Sequence, residues 1–328
     1  MDDTTVLSYW LNWRFFLCAL WVVVTITVSG ILIAKYEVNN KKRTQKQDDE
    51  LDTEPTGILY EDETWRTSFE EMHPAWLLCY RLIAFCLLLT ILVYDLVIAG
   101  AGKLFFYTQW TFVLVTFYFG LASSLSIYGC YQYCNEAHDD ICHVDLDTQE
   151  GSLVAPLIEE SFTPHMPMKP SYQGEIHVHK TAGVWGFSCQ IVFQICAGAV
   201  GLTDSVFWFI IYPFLTPASY KLTFLHVTLH SVNAVLLLID VILNRLRFPF
   251  FRLAYFAIWT CIFVIFQWIF HACVSIPWPY VFLDLSSPYA PIWYLGMGLI
   301  HLPAFGVFAL IVKWKELLLS RSFENIAA

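Results

Sequence analysis

The amino-acid sequence predicts an all-α protein, a polytopic membrane bundle of about seven transmembrane helices with its amino terminus non-cytoplasmic and its carboxyl terminus cytoplasmic. Composition is the first reason. Of 328 residues 57% are hydrophobic and 14% charged, against roughly a quarter charged in an ordinary soluble domain. A water-soluble core of this size cannot hide so much apolar surface. The second reason is seven apolar runs, 13–34, 76–98, 108–130, 183–211, 221–243, 253–273 and 292–312, each near the ~20 residues that cross a bilayer. The third is the distribution of positive charge. On an alternating topology 14 Lys and Arg fall on the cytoplasmic side and three, Arg14, Lys103 and Lys221, on the other. Arg81 lies just inside span 2. Positive residues mark cytoplasmic loops.

The elements follow in order. Residues 1–34 read as a signal-anchor helix, because the apolar run exceeds a signal-peptide core and the positive cluster from Lys35 to Lys46 follows it. Residues 35–75 read as a polar cytoplasmic linker whose basic end sits at anionic headgroups. Residues 76–315 form a six-helix membrane domain, interrupted by an acidic cytoplasmic loop over 131–182, and 316–328 form a cytoplasmic tail. Twenty of the 28 carboxylates lie in 35–75 and 131–182, as solvated like-charge blocks do. In span 4, Gly198, Gly201 and Asp204 suggest an interruption, with the helix ending near 203 and a short interfacial piece beyond. Thirteen Trp suit many membrane–water boundaries. No basic surface suggests nucleic acid, and the expected partners are membrane lipids; oligomeric state is left open.

Ionisable side chains inside spans are costly, so they mark function or interhelical bonding. Asp95, Asp204, His226, His230, His271 and His301, with Asn233 and Asp240, gather toward the non-cytoplasmic side or along span 5 and are the polar cavity candidates. In span 5, His226, His230, Asn233, Leu237, Asp240 and Asn244 recur at spacings of four and three, one polar stripe on one helical face. That stripe reads equally as interhelical hydrogen bonding. Asp95 and Asp204 stand where an unmetallated carboxylate reaches water. No cofactor is implied.

An acyl-transfer site needs a hydroxyl or thiol nucleophile, a base within reach and donors for the oxyanion. Thr108, opening span 3, and His230 supply the first two types. Along straight helices His230 lies about nine residues, ~13 Å, deeper than Thr108. Cys130, Cys134, His138 and Cys142, with His143, run at near-helical spacing beyond span 3, which fits packing, palmitoylation or metal ligation. His177 and His179 read as solvated.

Particular motifs carry a family resemblance. Tyr94-Asp-Leu is followed by Gly-Lys-Leu-Phe-Phe-Tyr-Thr-Gln-Trp over 102–110, then by Leu-His-Val-Thr-Leu-His-Ser over 225–231 and Pro-Trp-Pro-Tyr over 277–280. Over about residues 74–315 this order resembles the androgen-induced-gene and rolling-stone-like family of multi-span membrane proteins. The resemblance implies a six-span hydrolase of fatty-acid esters in the animal branch, with Thr108 matching its nucleophilic Thr and His230 its catalytic His. The rolling-stone branch is linked to cell fusion without an established reaction. The first span and the 131–182 loop are additions to the family plan. Two readings therefore stand: a Thr/His lipid-ester hydrolase, or a non-enzymatic membrane protein of membrane organisation, cell fusion, signalling or transport. Both belong in the endoplasmic reticulum, another secretory-pathway membrane or the plasma membrane.

Overall fold

A computed structural model of the chain describes residues 3–38, 57–69, 71–150, 180–217 and 219–327, with side chains described outside 38, 99, 101, 137–150 and 322–327. The described residues are helical, and seven helices are long and apolar enough to cross a membrane. We number them α1 (Trp13–Ile33), α2 (Pro74–Ala99), α3 (Tyr107–Glu150), α4 (Val184–Val206), α5 in two pieces, α5a (Phe224–Leu229) and α5b (Val232–Leu243), α6 (Leu253–Cys273) and α7 (Ala290–Ala327). Two isolated β-bridges, Tyr60 with Thr181 and Thr67 with Asn244, are the extended pairings among the described residues.

Local chemistry sets the helix ends. The Asn12 side chain accepts from the Phe15 N–H and so starts α1. Pro74 opens α2, where its missing N–H costs nothing, and Gly100, with φ 74°, ends it in a conformation that suits glycine. The capping box of α5a pairs Thr223 with His226.

Helix α4 is the central element, packed against α3, α5b, α6 and α7 and buried around most of its circumference. Gly198 and Gly201 do not interrupt it. A Cβ on Gly198 would lie 2.4 Å from the Phe256 ring, and one on Gly201 2.8 Å from the Ala304 carbonyl oxygen, so both glycines let α6 and α7 approach, the usual task of small residues between membrane helices. The chain leaves α-geometry three residues after the expected end and continues as a π-helix over Phe207–Leu215.

The fifth span, expected as one helix, is broken instead. His230 has φ −114° and ψ 18°, and Ser231 has φ −149° and ψ −40°. The Trp208 indole N–H donates to the His230 carbonyl at 2.9 Å, which satisfies a group that the break removes from the helical ladder.

Two further expectations change. Helix α3 runs to Glu150, so the first part of the anticipated 131–182 loop is helix, while Lys169, His177 and His179 lie outside the described residues. Within the anticipated 35–75 linker, 57–69 packs on the bundle: Leu59 and Trp65 are buried, Gly129 leaves room for the Trp65 ring, and the Ser68 N–H donates to the Leu243 carbonyl at 2.7 Å. At the opposite end, Thr4 donates to the His271 carbonyl at 2.7 Å and Tyr9 to Asp284 at 3.0 Å, which ties the first residues to the 274–289 loop.

Candidate functional site

The main cavity, of about 510 Å³, lies among α1, the first turn of α3, α4, the α5 break, α6, α7 and the 274–289 loop. Its polar lining includes Thr108, Thr203, His230, Thr260, Tyr280 and His301, and the remainder is mostly aliphatic and aromatic. Both Thr108 and His230 therefore face one space. The break in the fifth span falls at this residue, between α5a and α5b.

Two contacts hold the His230 ring. It stacks on Phe207 with centroids 3.8 Å apart and planes 1° from parallel. Its Nδ1 stands 3.6 Å from Asp204 Oδ1, close enough for an ion pair and too long for a hydrogen bond. Nδ1 and Asp204 Oδ2 are buried atoms without a hydrogen-bond partner among the described residues, and catalytic bonds in resting sites are often this loose. Phe207 begins the π segment, a geometry often found at functional sites.

Thr108 occupies the amino-terminal turn of α3. The Tyr107 N–H donates to the Tyr280 hydroxyl oxygen at 3.0 Å, and the Thr108 side chain and backbone reach the same phenol. Burial pushes the Tyr280 phenol above its ordinary pKa, against the opposing pull of these donors, so the phenol keeps its proton. The first-turn N–H groups of α3 are taken up by the Tyr280 phenol and the Phe106 carbonyl, and the helix dipole behind them favours developing negative charge here.

A second hydroxyl–imidazole pair lines the same cavity. His301 Nδ1 lies 2.7 Å from the Met297 carbonyl, and its Nε2 lies 2.9 Å from Thr260 Oγ1. A carbonyl only accepts, so Nδ1 carries the hydrogen, and on a neutral ring Nε2 accepts from the Thr260 hydroxyl. Tyr107 Oη, 2.8 Å from Thr260 Oγ1, then donates to it.

The other candidates are spread over the molecule. Asp95 does not reach water: it is buried, 3.2 Å from the Lys103 Nζ, and accepts from the Gln109 amide. Lys103 comes from the turn that leads into α3 and Gln109 from the first turn of α3. His226 caps α5a, with Nδ1 2.9 Å from Thr223 Oγ1 and 3.1 Å from the Tyr220 hydroxyl. Asn233 is buried on α5b, and its side-chain oxygen accepts from the Ala234 N–H. His271 is buried at the end of α6, stacked on Trp278 at 3.8 Å. Asp240 is buried in an ion pair with Arg81 at 3.0 Å and accepts from Tyr118 and, at 2.8 Å, from Asn244. Of these candidates only His301 joins His230 and Thr108 in the cavity lining, and Asp204 stands just behind His230. The break divides the span-5 stripe between these environments.

Among the described residues no three His, Cys, Asp or Glu side chains converge on a point that could hold a metal. Cys130 is half-buried and Cys134 exposed, and the side chains of His138, Cys142 and His143 lie outside the described residues. Sequence reasoning missed Thr203, Thr260 and Tyr280. Only Tyr280 had a signal, the Pro-Trp-Pro-Tyr run. Compared with family models, curated proteins and solved structures, the chain matches none.

Proposed function

We propose that this multi-pass membrane protein is a hydrolase of fatty-acyl esters that uses Thr108 as nucleophile and His230 as general base, held by Asp204. The observation that carries the proposal is the shared cavity: Thr108 and His230 line one space, with a buried carboxylate 3.6 Å behind the imidazole. The family resemblance of the span-3 and span-5 motifs supports the same roles. Lys and Arg distribution supports a cavity toward the non-cytoplasmic end, and the signal-anchor character of the first span supports residence in the endoplasmic reticulum, another secretory-pathway membrane or the plasma membrane, with membrane lipids as partners.

In this mechanism Nδ1 faces Asp204, so Nε2 is the nitrogen that takes the Thr108 hydroxyl proton. Thr108 Oγ forms a bond to the ester carbonyl carbon, and the carbonyl oxygen becomes an oxyanion beside the α3 amino terminus and the Tyr280 O–H. The carbon–oxygen bond to the leaving alcohol breaks as His230 returns the proton to it. Water, deprotonated by His230, then attacks the acyl-threonine and releases the carboxylic acid, and Thr108 regains its proton.

Labelling with a fluorophosphonate tests this, because the reagent reports an activated hydroxyl. In the purified protein, Thr108→Ala and His230→Ala should each lower labelling about 10²–10⁴-fold with the fold intact. Labelling that survives both substitutions, or well-folded wild type that does not label, overturns the reading. A second assignment rests on the 2.9 Å Thr260–His301 bond. It predicts loss in Thr260→Val and His301→Ala instead. The carboxylate 3.6 Å behind His230 favours Thr108 with His230.

A further inference from the structure

The first helix takes no part in that chemistry, yet one of its faces walls the cavity. Trp21, Thr25, Val28 and Leu32 recur at spacings of four, three and four and line it, as do Val22 and Ser29. The face has two edges. Val22 and Ser29 are 7% and 4% exposed, whereas Val28 is 50% exposed. Across the cavity on α7, Leu299 and Leu302 also belong to the lining and are 56% and 47% exposed. Half-exposed lining residues on both α1 and α7 fit an opening of the cavity at the surface between these two helices.

Its depth is informative. Trp21 and Gly298 are each eight residues into their helices, about 12 Å from the end at 1.5 Å per residue. Both helices start from the end where residues 3–12 meet the 274–289 loop, so the two positions stand at similar height along an apolar flank. Gly298 lines the cavity there, and a Cβ built on it meets nothing within 4 Å. Among the described residues the lining contains no Asp, Glu, Lys or Arg. An ion or a strongly solvated headgroup would lose its water with no charge to replace it, whereas a hydrocarbon chain loses nothing on entry.

We propose that the cleft between α1 and α7 is a lateral portal through which one acyl chain of a membrane lipid passes from the bilayer into the cavity, its polar end toward Thr108 and His230. The first helix is then a wall of the binding site rather than only an anchor. The portal rests on the lipid-binding part of the proposed function and is independent of its chemistry.

The test uses the full chain in phosphatidylcholine vesicles with a long-chain fatty acid that carries a diazirine and a terminal alkyne. Photolabelling should fall on cavity-lining residues of α1 and α7. Gly298→Phe should fill the mouth and lower labelling about tenfold, as should Leu302→Trp at its half-exposed position, which serves if the first variant folds poorly. Gly296→Phe is the control, a glycine on the same helix with equally open surroundings that does not line the cavity. It should label like wild type. Equal labelling of wild type and both mouth variants, or labelling confined to outward residues, overturns the portal. Normal portal labelling together with absent fluorophosphonate reactivity removes only the hydrolase reading.

Discussion

At the scale of single residues the site depends on how His230 is held. A ring stacked on Phe207 and facing a buried carboxylate at 3.6 Å needs a movement of well under 1 Å to form a hydrogen bond. In the proposed mechanism Asp204 is a positioning residue, whose carboxylate would select the tautomer with Nδ1 protonated and leave Nε2 to act. Asp204→Asn should lower fluorophosphonate labelling about 10²–10⁴-fold and flatten its dependence on pH. Asp204→Glu should restore part of it. A purely structural role would leave the pH profile unchanged. Residue type made Thr108 and His230 visible as candidates, since few side chains can serve as nucleophile and base. Thr260 was invisible, because a Thr within an apolar helix normally bonds back to its own helix.

At the scale of elements, α4 is where packing decides most. Gly201 rests against backbone, the Ala304 carbonyl, which no rotamer change can move. Gly201→Val should destabilise the bundle by about 1–3 kcal/mol, seen as a lowered unfolding temperature in detergent. Gly30→Val serves as a comparison, since its surroundings are open, and should stay near wild type. The sequence pattern placed seven spans close to their observed positions because apolar length is a local property. It read Gly198 and Gly201 as a break and span 5 as continuous. Both errors have one cause: glycine and histidine have meanings set by the neighbouring helix, and neighbours are not encoded by spacing along one helix.

For the whole molecule, the buried Arg81–Asp240 pair joins the elements. Arg81 Nε lies 3.0 Å from Asp240, and one guanidinium nitrogen donates to the Thr64 carbonyl at 2.9 Å and to Ser126 Oγ at 2.7 Å. This one cation ties α2, α3, α5b and the 57–69 segment together. Nearby, buried Arg252 pairs with Glu37 at 2.8 Å, and Arg247 with Glu63 at 2.8 Å. Asp240→Leu leaves Arg81 buried without its counter-ion and should cost about 3–5 kcal/mol, whereas Arg81→Met combined with Asp240→Leu should recover a large part of that loss. Thermal unfolding of the three proteins decides it. The lower half of the span-5 stripe thus serves as interhelical bonding, and the upper end at His230 serves the cavity.

Composition and apolar run length determined, without coordinates, that the chain is an all-helical protein with seven helices able to cross a membrane, because hydrocarbon admits few polar groups and demands a set helix length. Residue chemistry narrowed the site to a handful of polar side chains within those helices. Only the tertiary structure decided which of them meet. It put Thr108 and His230 in one cavity with Asp204 behind, sent Asp240 to Arg81 and Asp95 to Lys103, and turned the first helix into a wall. The physical reason is that a buried polar group must find its partner across helices. The rotation, breaks and close approaches that bring partners together are properties of the packed bundle.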